Sequence, residues 1–399
     1  MNRVLCVSHY SPTLNNVSNK WIIDFYKDLG NYPVIRHVDF LNIKFNIFFK
    51  ANIRKIPIDQ YISEIQLSLP YIFRLFRKNK LGNTIFEIYV LRKINRFMSR
   101  NKLTYSILHI NTSYYSFLVD LFDSFINEEI GTCKILHLHE NHALLRRIHD
   151  NNLYNFKKYA AKFNYIFRQT PLDVEYLRDL NGSIVFVPNA INFKGLIYNN
   201  KNNNITDGIV RVLSVGFLKK TKNYFLALDL IHELKANGFK VEYNIVGSGN
   251  LKKQLSNYAI KIGINDVVFF HGYKDREYIN EMLTKSSFLL NTSFYESFGN
   301  IFIESIFNGT PILTCAKGGP EFIFKWAEMN GSYIGEICDD NVKSLKNGAK
   351  LLISNINQIN FVNISHEAKL KFSSLKFLEK LIKANNEILS NNNWWCEND

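Results

Sequence analysis

Short apolar runs alternating with longer helical or loop segments dominate this chain, and that rhythm leaves few folds open. Residues 4–8, 107–111, 135–139, 165–169 and 184–187 read as strands of one series. Residues 210–215, 241–246, 267–270, 287–290 and 312–314 read as strands of a second. Helix-length segments between strands imply βαβ crossovers and parallel pairing, which predicts an α/β fold. Residues 198–204 (YNNKNNN) are polar, lack apolar periodicity and read as a linker. A chain of 399 residues has room for two domains, each with its own core. The boundaries expected are 1–195, a linker at 196–208, and 209–373, followed by a segment of helical period at 374–390.

The richest stretch runs from residue 289 to 322, LLNTSFYESFGNIFIESIFNGTPILTCAKGGPEF. Glu296 and Glu304 stand eight positions apart, around a Ser297-Phe298-Gly299-Asn300 turn. The pattern reads as strand, tight loop, helix, with Glu296 at the loop and Glu304 about two turns into the helix. Gly309-Thr310-Pro311 ends that helix, residues 312–315 form another short strand, and Gly318-Gly319 opens a second loop. Glycine loops at neighbouring strand ends are how an open α/β sheet builds a ligand crevice. Backbone N–H groups at a helix start favour an anion such as a diphosphate. A carboxylate repels phosphate but accepts hydrogen bonds from hydroxyls. An anion site with two hydroxyl-gripping carboxylates suits a nucleotide sugar. A Glu-x7-Glu pair alone carries little, since about one arises by chance in such a chain.

The surrounding motif carries more. Glu, a small residue, Phe-Gly, the second Glu, then Gly-x-Pro and Gly-Gly-x-x-Glu together resemble the donor-site signature of glycosyltransferase family 4. These are the retaining, GT-B-fold members of glycosyl transferases group 1. The match is clearest from about residue 210 to 340, and weaker over 4–18 and 135–192. The resemblance implies two Rossmann-like domains facing across a cleft. The first would bind acceptor and the second donor, with residues 374–390 crossing back onto the first domain. It also implies retaining, metal-independent transfer, with no cofactor beyond a UDP-sugar or GDP-sugar donor.

Other positions follow from the same resemblance. Gly216 ends a strand and is followed by Phe217-Leu218-Lys219-Lys220-Thr221-Lys222. Lys222 matches the family's lysine, while Phe217 stands where the family has arginine, so Lys219 or Lys220 would supply any second charge. Gly247 opens the Gly-x-Gly loop expected at the cleft floor. Tyr273 lies beside the segment that borders the base, where it could stack. Asn15-Asn16 replaces the family's glycine pair near the phosphates. His139, at a strand end in HLHENH (137–142), matches a histidine near the donor sugar. Three histidines within six residues also fit metal ligation, which the implied chemistry does not need. Pro188-Asn189-Ala190 resembles the family's Pro-Asn-Gly at the domain junction.

Composition narrows the setting. Hydrophobic residues make up 46% and charged residues 21%, as in soluble globular proteins. No apolar run reaches the roughly 18 residues of a membrane span. The amino terminus enters a strand at once without a leader pattern, which points to the cytoplasm. Five scattered cysteines without CxxC spacing indicate neither a disulfide framework nor zinc. The net charge is +14, and residues 44–102 carry 13 Lys/Arg against 3 acidic residues, interleaved with aromatics. That region fits an anionic membrane surface or a pair of amphipathic helices; a nucleic-acid surface could look alike, but no nucleic-acid motif is present and no nucleic-acid partner is expected.

The expected function is transfer of a sugar to a glycan or polyprenyl-diphosphate-linked acceptor, in the biosynthesis of a bacterial surface polysaccharide such as O-antigen or capsule. Glu296 would orient the sugar. Lys222, with Lys219 and the N–H groups of Ser297, Phe298, Gly299 and Asn300, would stabilise the departing diphosphate. Glu304 would grip the ribose and His139 would position the sugar. The competing reading, motivated by Phe217 and Asn15-Asn16, is a non-catalytic module that keeps the fold.

Overall fold

The computed structural model describes residues 2–7, 35–46, 51–76, 80–122, 133–139, 148–152, 155–170, 177, 180, 183–189, 191, 193, 207–356, 359–373 and 376. The chain divides into two units, residues 1–192 with 374–399, and residues 193–373. The expected helix at 374–390 lies outside the described residues except for residue 376, as do residues 196–206 of the expected linker at 196–208.

The first unit contains β1 (Asn2–Val7), β2 (Ile35–Asn46), β3 (Asn52–Pro57), β4 (Ile62–Pro70), α1 (Ile72–Phe76) and α2 (Lys80–Arg100). It continues with β5 (Ile107–Ile110), α3 (Val119–Phe122), β6 (Cys133–Leu138), α4 (Phe156–Ala160), β7 (Tyr165–Arg168) and β8 (Ser183–Phe186). The strands form one sheet in the order β3-β4-β2-β1-β5-β6-β7-β8. All pairs are parallel except β3 with β4. Strand order reverses between β1 and β5, the topological switch point of a doubly wound sheet. Leu5, Val7, Leu41, Ile65, Leu67, Phe86, Val90 and Ile94 form part of its core.

Residues 44–102 do not form a pair of amphipathic helices. The basic, aromatic stretch holds the end of β2, the β3–β4 hairpin, α1 and the single long helix α2. Asp59 closes the hairpin by accepting the N–H groups of Tyr61 at 2.8 Å and Ile62 at 2.7 Å. β4 lies between two strands, so its polar residues are buried and paired. Ser63 donates to Asp39, Gln66 accepts from Arg54 at 2.8 Å, and Lys44 stands 3.8 Å from Glu64. Those polar positions disguised a central strand. Helix α2 buries Phe86, Val90, Ile94 and Met98, one face at a four-residue spacing.

The second unit contains β9 (Ile209–Val215), α5 (Tyr224–Ala236), β10 (Lys240–Val246), α6 (Lys252–Lys261), β11 (Val268–Gly272), α7 (Arg276–Lys285) and β12 (Phe288–Asn291). Then come β13 (Tyr295–Glu296), α8 (Asn300–Phe307), β14 (Ile312–Thr314), β15 (Lys317–Gly318), α9 (Gly319–Met329), β16 (Gly335–Ile337), α10 (Val342–Asn355) and α11 (Val362–Phe372). Six strands form a parallel sheet in the order β11-β10-β9-β12-β14-β16. Its switch point falls between β9 and β12. The strands read at 210–215, 241–246, 267–270, 287–290 and 312–314 all appear, with ends shifted by no more than two residues.

β13 and β15 were not foreseen. Glu296 belongs to a two-residue strand paired with Gly318, rather than to an open turn. Gly318 has φ +92°, and a Cβ there would lie 2.6 Å from the Glu296 carbonyl oxygen. At Gly319 a Cβ would come within 2.2 Å of the Phe298 carbonyl oxygen. The glycine pair therefore lets the second loop lie directly against the first.

Candidate active site

The carboxyl ends of β9, β10 and β12 supply the loops of the site. Gly216 and Gly247 have φ +152° and +148°, and a Cβ on Gly247 would sit 1.9 Å from the Gly216 carbonyl oxygen. Only glycine permits this approach of two backbones. Leu218 N–H donates to Ser248 O at 2.9 Å, fastening the loops together.

The loop after Gly216 turns through a short 3₁₀ segment, Lys220–Lys222, and leaves through Asn223 at φ +48°. Thr292, just beyond β12, donates its hydroxyl to Lys222 O and Asn223 O at 3.1 and 3.0 Å. That clamp brings Lys222 across the switch point to Glu296, with which it forms an ion pair. Glu296 Oε1 also accepts from Ser293 Oγ at 2.8 Å and Asn291 Nδ2 at 3.2 Å. The two side chains retain 20% and 15% exposure, so the pair is reachable yet largely shielded. Lys219 and Lys220 are exposed, and Phe217 is 45% exposed on the same loop.

The second carboxylate has its own cation. Arg276 Nη2 stands 3.2 Å from Glu304 Oε1, and Glu304 is 16% exposed. Burial raises the Glu304 pKa above the usual glutamate value, against the opposing charge of Arg276. Gly299 takes φ +89° at the amino end of α8. Ser297 and Asn300 are half-buried beside it. The Phe298 side chain is 1% exposed and packs 5.7 Å from the Phe372 ring. Phe298 thus offers its backbone alone. Tyr273 follows β11 and is 55% exposed. Its neighbour His271 is fixed by Asn244 at 2.7 Å and Tyr278 at 2.8 Å.

In the first unit, His139 directly follows β6, the strand next to β5 of the β1–β5 switch point. Gln169 Nε2 donates to His139 Nδ1 at 2.7 Å, and the same amide reaches Asn189 Oδ1 at 2.6 Å. His139 Nε2 faces Asn111 Oδ1 at 3.3 Å, which places the imidazole proton on Nε2. Burial, then the charges of His109 and Arg168, pull its pKa down to about 3. His137 lies 3.9 Å from the His139 ring and 5.6 Å from His109, with its own pKa lowered by burial. This is a neutral histidine stack. Among the described residues, no group of three His, Cys, Asp or Glu side chains is placed to hold a metal. Asn15 and Asn16 lie outside the described residues.

Arg276, Asn291, Ser293, Asn111 and Gln169 were not found from the sequence. Asn291 and Ser293 sit within five residues of Glu296, in the stretch that carries the motif, so proximity was an available signal. Arg276 reaches Glu304, and Gln169 reaches His139, only through tertiary packing within their own units, and nothing local marks them.

Residues 199–363 match the family model described as glycosyl transferases group 1. The uncharacterized glycosyltransferase MJ1178 of Methanocaldococcus jannaschii is 22% identical over 61% of this chain and 67% of its own length. The amylovoran biosynthesis glycosyltransferase AmsK of Erwinia amylovora is 29% identical over 29% of this chain and 30% of its own. Sucrose-phosphate synthase of Thermosynechococcus elongatus superposes with a TM-score of 0.73 at 16% identity, covering 98% of this chain and all of its own. HepE of Anabaena, in complex with UDP and glucose, gives 0.67 at 12% identity, covering 97% and 100%. The two doubly wound units therefore make up a GT-B fold, and the second carries the group 1 match.

Proposed function

We propose that this chain is a retaining, metal-independent glycosyltransferase of family 4 that uses a nucleoside-diphosphate sugar. One observation carries the reading. Lys222 and Glu296, 74 positions apart, meet at the carboxyl edge of β9 and β12, at the switch point of the second sheet. Ligands of open α/β sheets bind at such points. The family match and the glycine-lined loops support the same site.

The chemistry follows from what each group can do. An ammonium has three donors, so Lys222 can hold Glu296 and still donate to a diphosphate leaving group. The amino end of α8, at 297–300, favours the same anion through the helix dipole. Glu296, oriented by Ser293 and Asn291, accepts sugar hydroxyls and fixes the anomeric carbon. Glu304 accepts the ribose hydroxyls. The leaving phosphate takes the acceptor's proton on the face it departs from, which retains configuration. His139, neutral and fixed in one tautomer, serves as a hydrogen-bonding group rather than an acid. For the acceptor we propose a glycan or lipid-linked glycan of a bacterial surface polysaccharide, approached from an anionic membrane surface. AmsK, named for amylovoran biosynthesis, supports that direction.

A nucleotide-release screen across UDP- and GDP-sugars tests the reading. One donor should turn over, and Glu296→Ala should lower that turnover about 100-fold or more while melting normally. Turnover near wild type in the Glu296→Ala variant removes the role assigned to the pair. Release from no donor favours the non-catalytic alternative, which the exposed Phe217 in place of arginine would suit.

A further inference from the structure

Glu304 is a largely shielded carboxylate, 16% exposed, whose one ion-pair partner among the described residues is Arg276. The partner is the first residue of α7, whose start is capped by Asp275 Oδ1 accepting Tyr278 N–H at 2.9 Å. Helices α7 and α8 are already tied together elsewhere. Thr310 donates to Leu283 O at 2.7 Å, and Asn308 reaches Asn280 at 3.4 Å. The ion pair is therefore not needed to dock the helices. Arg276 Nε is buried and makes no hydrogen bond among the described residues, so the guanidinium holds a spare donor beside the carboxylate.

Ionisation decides what Glu304 can recognise. An ionised carboxylate is an acceptor with two oxygens, matched to two vicinal hydroxyls. A protonated one carries a donor and loses part of that match. Burial pushes Glu304 toward the protonated form, and the Arg276 charge opposes it. Other charges on the elements around Glu304 are engaged or exposed. Glu321 of α9 accepts the Gly318 N–H at 2.8 Å, Lys371 of α11 lies over the Trp326 ring at 5.8 Å, and Glu281 of α7 pairs with Lys285. Glu277 of α7, Lys325 and Glu328 of α9, and His366, Glu367 and Lys369 of α11 are exposed. Lys274, before α7, stands 4.7 Å over the Tyr278 ring.

We propose that Arg276 is a positioning residue that keeps Glu304 ionised and aimed, and so gives the site its preference for a ribonucleotide over a 2′-deoxyribonucleotide. This rests on the donor-site reading above. A buried acceptor left unfilled by a missing hydroxyl is penalised more than an exposed one, so discrimination depends on Glu304 staying charged.

Titration calorimetry of the full chain with UDP, GDP and their 2′-deoxy counterparts tests it between pH 6 and 8. Wild type should bind its preferred diphosphate at least about 10-fold more tightly than the deoxy form, with little pH dependence. Arg276→Met should bind the ribonucleotide about 10-fold more weakly at pH 7. The loss should deepen toward pH 6, and the discrimination should shrink. Arg276→Lys, which keeps the charge, should restore much of both. Equal weakening for both sugars at every pH would mean that Arg276 has only a structural role and would overturn the proposal. Unchanged affinity in Arg276→Met would overturn it too. If wild type binds neither diphosphate, the donor-site reading itself fails and this proposal falls with it. Binding with intact discrimination in Arg276→Met rejects the proposal alone.

Discussion

Glu296 and Glu304 come from one motif yet end in different company. Glu296 is gripped by Lys222, Ser293 and Asn291, whereas Glu304 answers to Arg276. A third carboxylate, Asp39 in β2, shows what full satisfaction looks like. It is completely buried and accepts from Arg3 Nη2 at 2.7 Å, Lys55 Nζ at 2.7 Å, Tyr105 OH at 2.9 Å, and Ser63. Burial alone would raise its pKa, but bonds from His37, Lys55 and Ser63 and the charge of Arg3 carry it far below the aspartate range. The folded pKa lies below the unfolded value, so the contribution to stability is complete above the unfolded pKa of about 3.9. It fades as pH falls from there toward the folded value. Asp39→Asn should therefore lower stability at pH 7 by about 2–3 kcal/mol, less than a fully buried pair because Arg3 and Lys55 stay part-solvated. Urea melts at pH 7 and pH 3 check this: the gap between variant and wild type should narrow at the lower pH. A constant gap would show that the charge is not the cause.

Individual residues were legible in proportion to how local their reason is. Glu296, Lys222 and the glycines were readable because a motif and a backbone requirement sit at those positions. At Phe298 the motif pointed only to a backbone N–H, and the place of its ring in the core depends on packing against Phe372 that no local pattern marks. Asp39 and its donors went unread, since five chain segments must come together before the full set meets.

Elements were legible where apolar periodicity was undisturbed. The strands of the second sheet are nearly continuous apolar runs, as a sheet buried on both faces requires. β4 carries buried Ser63, Glu64 and Gln66 and so lost its pattern. Helix α2 conveys the opposite lesson. Its buried face is ordinary, but its exposed stripe begins with Leu81 at 73% exposure, Ile85 and Ile88, and continues with Arg92, Arg96 and Arg100. Apolar side chains followed by a row of guanidinium groups suit an anionic bilayer, the former entering the interface and the latter meeting headgroups. The proposed membrane approach therefore belongs to this helix. Vesicle sedimentation should find the protein on phosphatidylcholine/phosphatidylglycerol but not on phosphatidylcholine alone. Ile85→Glu with Ile88→Glu should weaken that binding about tenfold or more. Unchanged binding in the double variant would move the surface elsewhere, and equal, weak binding to both vesicles would reject it. No helix among the described residues is long and apolar enough to cross a membrane.

At the scale of the whole molecule, the two βα series written in the sequence became two doubly wound sheets, each reversing its strand order once. The reversal matters more than the strand count, because it sets which loops become neighbours. It joins the loop after β9 to the loop after β12, and hence Lys222 to Glu296. Strand rhythm alone did not reveal where each sheet reverses. The family resemblance supplied the pairing, and its physical cause lies in the Thr292 clamp and the Gly216–Gly247 contact.

Hydrogen exchange read by mass spectrometry tests the central claim most directly, with the protein saturated by whichever nucleoside diphosphate stabilises it against heat. The claim predicts slowed exchange in residues 216–223 and 291–304, the two loops that meet at the switch point. A diphosphate that binds at saturation and leaves both segments unchanged would contradict it.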